Sequence, residues 1–158
     1  MQPINAIPAE VMALNFSAIK KKMMDPVEGN GASVKHIECC EAEYRKFLAL
    51  RFFYPKEDLA PNRWVDEFWH AHILDTMAYV ADCNSLFGNY LHHYPYMGIG
   101  SAEARQELSD AFTKTKTLYE LHFGSYPEDE AIAARCKGHA CHSPSPCACR
   151  VPGACKAK

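Results

Sequence analysis

From Arg63 to Cys83 the chain carries its large apolar residues at a helical period, and this run commits the protein to a helix long enough to organise a core. With an advance of about 100° per residue, Val65, Trp69, His72, Thr76, Tyr79, Val80 and Cys83 fall within about 60° of one direction. Similar spacing recurs elsewhere. Val11, Met12, Leu14, Phe16, Ile19 and Met23 predict a helix from Pro8 to Met24, stopped by Asp25-Pro26. Ser33 caps a second predicted helix reaching Phe53, with Ile37, Cys40, Tyr44, Phe47, Leu48 and Phe52 on its inner face. Asn84 and Gly88 break the histidine-bearing helix or leave a short continuation to His93. Ser101 caps a last helix to Phe123, closed by Gly124, which offers Leu108, Phe112, Leu118 and Leu121 to the core. No alternating strand is flanked by hairpin turns, so the predicted fold is all-α: one compact domain of four or five helices over residues 1–126. A linker and an irregular Cys/His-rich tail over residues 127–158 complete the predicted organisation.

A length of 158 residues suits one core, and 48% apolar with 23% charged residues excludes a disordered or fibrous chain. The tail from Cys136 holds four basic residues and no acidic ones, so the net charge of −2 divides into +4 there and about −6 over the first 135 residues. The whole chain therefore offers no electrostatic footprint for nucleic acid. The amino terminus lacks a basic segment followed by an apolar one, and no run approaches the ~20 apolar residues of a membrane span. The expectation is a cytoplasmic protein with reduced thiols and no membrane partner. Phosphate-binding glycine loops, nucleophile elbows and the His-Glu-x-x-His zinc motif are all missing, which leaves nucleotide hydrolysis, serine hydrolysis and zinc proteolysis without support.

His72 falls near the middle of the apolar face, where both ring nitrogens require partners: a metal with a supporting group, or two hydrogen bonds. His70 lies about 200° away and shares its flank with Asp66, one turn earlier, so the two histidines cannot reach one ion from a regular helix. Asp75, about 60° from His72, is a candidate to orient it or to act as a ligand. About twenty residues downstream come His92 and His93, either of which can return to the helix if the chain turns at Asn84 or Gly88. A mixed His/carboxylate set suits zinc, iron or copper. Cys39, Cys40 and Cys83 read as small buried hydrophobes, while His36 and His122 read as surface or core-edge residues with no partner nearby in sequence.

The tail concentrates Cys136, His139, Cys141, His142, Cys147, Cys149 and Cys155, interleaved with Pro144, Pro146 and Pro152. Its spacings match neither a zinc ribbon nor a common ferredoxin, but Cys147-Ala-Cys149 can chelate a soft ion, and metal binding by Cys136, Cys141, Cys147, Cys149 and Cys155 is the preferred reading. A reduced unstructured tail and a disulfide-linked one are the alternatives.

The run Val65-Asp-Glu-Phe-Trp-His-Ala-His-Ile-Leu, followed by Gly88-Asn-Tyr-Leu-His-His, resembles the glycine-rich domain-containing protein-like family, including small bacterial members of unassigned role. The positions that carry the resemblance are Asp66, Trp69, His70, His72, Gly88, Leu91 and His93, within residues 40–96. The resemblance implies a common site with His93 rather than His92 as third histidine; it implies no reaction.

These readings converge on a metal-binding helical protein, with His70, His72, His93, Asp66 and Asp75 as candidate ligands on the body and a transition metal ion as cofactor. It would act as a metal-dependent enzyme or as a metal carrier. The alternative from another class is an interaction module, or a peptide-precursor-like protein whose body docks a partner protein and whose cysteine tail partner enzymes modify.

Overall fold

The computed structural model describes residues 6–127, and those residues form an all-α domain. Its helices are α1 (Ala9–Met12), α2 (Ser17–Met24), α3 (Val34–Phe53), α4 (Arg63–Leu74), α5 (Thr76–Phe87) and α6 (Ala102–Phe123). The count exceeds the four or five expected because two runs read as continuous are each divided. The Cys/His tail expected over 127–158 lies, past its first residue, outside the described residues.

The first division falls between Met12 and Ser17, where Asn15 Oδ1 accepts the Ser17 amide at 3.0 Å. Arg45, on α3, fixes the break from below. Its guanidinium donates to the carbonyls of Val11 at 2.6 Å and Leu14 at 2.9 Å, and it lies 4.5 Å from the Phe16 ring centroid. The Val11 carbonyl belongs to the last turn of α1 and that of Leu14 to the link before α2, where no continuing helix supplies amide donors, and a buried cation with several donors satisfies both. Glu41 in turn accepts from Arg45 at 2.8 Å and pairs with Lys20 of α2 at 2.6 Å.

The second division falls at Asp75, whose backbone (φ −82°, ψ 73°) leaves the helical region and whose side chain accepts the Ala78 amide at 3.3 Å. Asp75 thus starts α5 as an N-cap, the position its short acceptor side chain favours. The redirected chain leaves Val80 exposed and keeps Tyr79 and Cys83 buried.

The remaining boundaries follow the expected signals. Ser33 and Ser101 accept the amides of His36 and Ala104 to cap α3 and α6, and Asn62 does the same for α4 through Val65. Gly88 closes α5 in the left-handed region at φ 70°, a conformation that costs a residue with a Cβ. Helix α3 is central, packing against α1, α2, α4 and α6. Between α3 and α4 the rings of Phe16, Tyr44 and Phe68 meet with centroids 5.1 to 5.8 Å apart, and His72 joins them 5.0 Å from Phe16. Among the described residues no helix is long and apolar enough to cross a membrane.

Candidate metal centre

Helix α4 presents two histidines to two different environments. His72 is 1% exposed. Its Nδ1 lies 2.9 Å from the Tyr44 hydroxyl and its Nε2 lies 2.9 Å from Asp82 Oδ2. Burial pushes the Tyr44 phenol well above its ordinary range and so keeps it a donor to Nδ1; Nε2 then carries the proton given to Asp82. Burial also lowers the His72 pKa, against the opposing pull of the Asp82 carboxylate, so the ring is held neutral. The carboxylate hydrogen-bonded to His72 is thus that of Asp82, and Asp75, the candidate from sequence, caps α5 instead. A continuous helix would carry Asp82 about 15 Å along the axis from His72; only the break at Asp75 folds it back.

On the opposite flank three side chains converge. His93 Nε2 is 2.8 Å from Asp66 Oδ1, His70 Nε2 is 3.0 Å from His93 Nε2, and His70 Nε2 is 3.4 Å from Asp66 Oδ1. Asp66 and His70 meet because they are one helical turn apart on α4. His93 is delivered by a fastening beneath it: Trp69 Nε1 donates to the Tyr79 hydroxyl at 2.8 Å, and that hydroxyl donates to the Leu91 carbonyl at 2.5 Å. The Trp69 ring also meets the His93 ring edge to face, with centroids 4.6 Å apart. Trp69 and Leu91 thus have a shared purpose, holding the irregular segment after α5 where His93 covers Asp66.

Hydrogen bonding serves this triangle poorly. An imidazole nitrogen has one in-plane valence, either a proton or a lone pair. If His93 Nε2 is protonated, one hydrogen is shared between Asp66 and the His70 lone pair; if it accepts from His70, it turns a lone pair on the carboxylate. The three atoms are also placed so that one cation would reach them together. A circle through atoms at these separations has a radius of about 1.8 Å, so an ion about 1 Å above their plane lies at metal–nitrogen and metal–oxygen distances of about 2.1 Å. Asp66 is 5% exposed and His70 47% exposed at the side chain, which puts the anionic ligand at the base and one imidazole at the rim.

Of the residues singled out from sequence, Asp66, His70 and His93 come together, while His72 and Asp75 stand apart from them. Cys136, Cys141, Cys147, Cys149 and Cys155 lie outside the described residues. His92 is exposed and packs on Tyr90. Sequence reading missed Asp82 and a second convergence of His36, Cys40 and Glu67 between α3 and α4. It also took Cys39, which is exposed, for a buried residue. His122, read as an edge residue, is buried with its Nε2 2.6 Å from the Tyr54 hydroxyl.

Fold and side-chain clusters together define a small all-α protein with candidate metal-ligand groups on its two-histidine helix. The chain belongs to the UCP032817-like family, whose family model matches residues 11–116. That match replaces the glycine-rich domain-containing family suggested by the short motifs: it runs from α1 into α6, whereas the motifs rest on a few positions within residues 40–96. No curated protein and no solved structure matches the chain.

Proposed function

We propose that the protein binds a divalent transition metal through Asp66, His70 and His93 and uses it as a solvent-accessible reactive centre. The observation that carries this reading is the three-way convergence of one carboxylate oxygen and two imidazole nitrogens within 3.4 Å of one another. Two histidines and one carboxylate on one face are the ligand set of non-haem iron(II) centres. Two of the three ligand separations, 2.8 and 3.0 Å, fit adjacent corners of an octahedron with bonds of about 2.1 Å, and the third, 3.4 Å between His70 and Asp66, matches the tetrahedral spacing. Iron(II) is thus favoured, with zinc and copper(II) as competitors. A metal in this position supplies Lewis-acid or redox chemistry on its outward side. The chain's own part is to hold a buried negative charge with Asp66, fix the His93 ring against Trp69, and leave the His70 rim open.

The test is elemental analysis of full-length protein purified anaerobically, beside His93→Ala, Asp66→Asn and a variant with Cys136, Cys141, Cys147, Cys149 and Cys155 all replaced by serine. About one iron per chain that survives the serine replacements and disappears from both triad variants supports the reading. Metal that follows the tail cysteines alone supports carriage of a soft ion, the second reading favoured by five thiols within twenty residues. Metal content unchanged in the triad variants overturns the proposal.

A further inference from the structure

A second set of metal-binding atoms lies where α3 crosses α4. His36 and Cys40 are one turn apart on α3 and face the same way, and Glu67 reaches them from α4. His36 Nε2 lies 2.9 Å from Glu67 Oε2, Cys40 Sγ lies 3.5 Å from His36 Nε2, and Cys40 Sγ lies 3.9 Å from that same Glu67 oxygen. Cys40 is fully buried, and the His36 and Glu67 side chains are mostly so. A circle through the three atoms has a radius of about 2.0 Å, which matches zinc–nitrogen and zinc–oxygen bonds of about 2.0–2.2 Å and approaches a zinc–sulfur bond of about 2.3 Å. The two separations that involve sulfur, 3.5 and 3.9 Å, exceed those of the Asp66 triad, as the longer zinc–sulfur bond requires, while the His36–Glu67 separation falls within the triad's range. Glu67 and Asn30, whose amide donates to Glu67 Oε1 at 3.4 Å, also line a cavity of about 450 Å³ walled by Ile19, Met23, Ala71 and Leu74.

We propose that His36, Cys40 and Glu67 form a zinc site, softer than the Asp66 centre, whose fourth position is reached from this largely apolar cavity. Three protein ligands with one open position are the pattern of reactive rather than purely structural zinc. A thiolate among them selects zinc over magnesium, calcium or manganese. The cavity walls suit a small ligand with an apolar body and one donor atom for the metal. The site shares no ligand with Asp66, His70 or His93, so it stands or falls separately from the reading above.

Cobalt(II) is the probe, added to full-length protein in which the five tail cysteines are serine and His93 is alanine. The expected result is a thiolate-to-cobalt charge-transfer band together with visible ligand-field bands of tetrahedral intensity, saturating at one equivalent and displaced by zinc. In this background Cys40→Ser abolishes the charge-transfer band, whereas Cys39→Ser leaves it intact. His36→Gln and Glu67→Gln each weaken cobalt binding by about tenfold or more, which guards against a Cys40 variant that merely unfolds. Absence of the band, or its persistence in Cys40→Ser, overturns the proposal. So does binding unaffected by both the His36 and Glu67 replacements.

Discussion

His70 and His72 are separated by one residue of α4, yet one is a rim ligand candidate and the other is a cornerstone of the core. The difference lies in what faces each nitrogen. His72 meets a buried phenol and a returning aspartate, one for each nitrogen, and surrenders its capacity for a proton or a metal to the packing. His70 meets another imidazole and a carboxylate across a shared gap, an arrangement of candidate ligand atoms that the proposed ion would fill. One residue type on two faces of a helix thus meets two different environments, a packed core and a half-exposed cluster of candidate ligands.

The sharpest way to break this contrast is to remove the structural member. His72→Ala leaves a hole among Phe16, Tyr44 and Tyr79 and strips the Tyr44 hydroxyl of its acceptor; we expect a loss of about 3–5 kcal/mol in urea unfolding. Tyr79→Phe acts on the link between the two regions. It removes the donor to Leu91 and the acceptor of Trp69 Nε1, and we expect a loss of about 1–3 kcal/mol with weaker metal retention in dialysis, because His93 is no longer tied down.

Acidity sharpens the contrast further. The folded state holds the His72 pKa below its ordinary value by burial, while the unfolded chain takes up a proton near pH 6.5. The unfolded state therefore binds more protons below that pH, and stability falls as pH drops from about 6.5. Between pH 7.5 and 5.5 the penalty from this residue is at most about 1.4 kcal/mol, with His122, also lowered by burial, acting in the same direction. His72→Asn should flatten the pH dependence of unfolding; an unchanged slope would show that other groups carry it. The smallest effect on stability belongs to the chemical member: His70→Ala should shift unfolding of metal-free protein by no more than about 0.5 kcal/mol while abolishing metal retention.

Local signals were legible in the sequence where the interaction was local. The Asp66–His70 pair is set by one helical turn, and Ser33, Ser101 and Gly124 mark their helix ends through short polar side chains or glycine backbone. The helical period places His72 inward, as the structure does, but an unbroken run offers Asp75 rather than Asp82 as the candidate carboxylate beside it. Asp75 itself held the clue: an aspartate followed by threonine inside a periodic stretch can end one helix and cap the next. Arg45 gripping the carbonyls after α1 is a different matter, since its partners lie over thirty residues away. The same holds for His36 with Glu67, whose meeting depends on the crossing of α3 and α4 rather than on any spacing along the chain.

The fastening of Leu91 through Tyr79 to Trp69 gives the Asp66 centre an autonomy that its small size conceals. Every contact described as positioning the triad lies between Asp66 and His93, a single stretch of α4, α5 and the turn that follows. Within it, the turn that carries Leu91 and His93 can open and reclose by itself while α4 stays packed on α3. Amide hydrogens around Leu91 would then exchange through a subglobal opening, and an ion could enter or leave on that timescale without the domain unfolding.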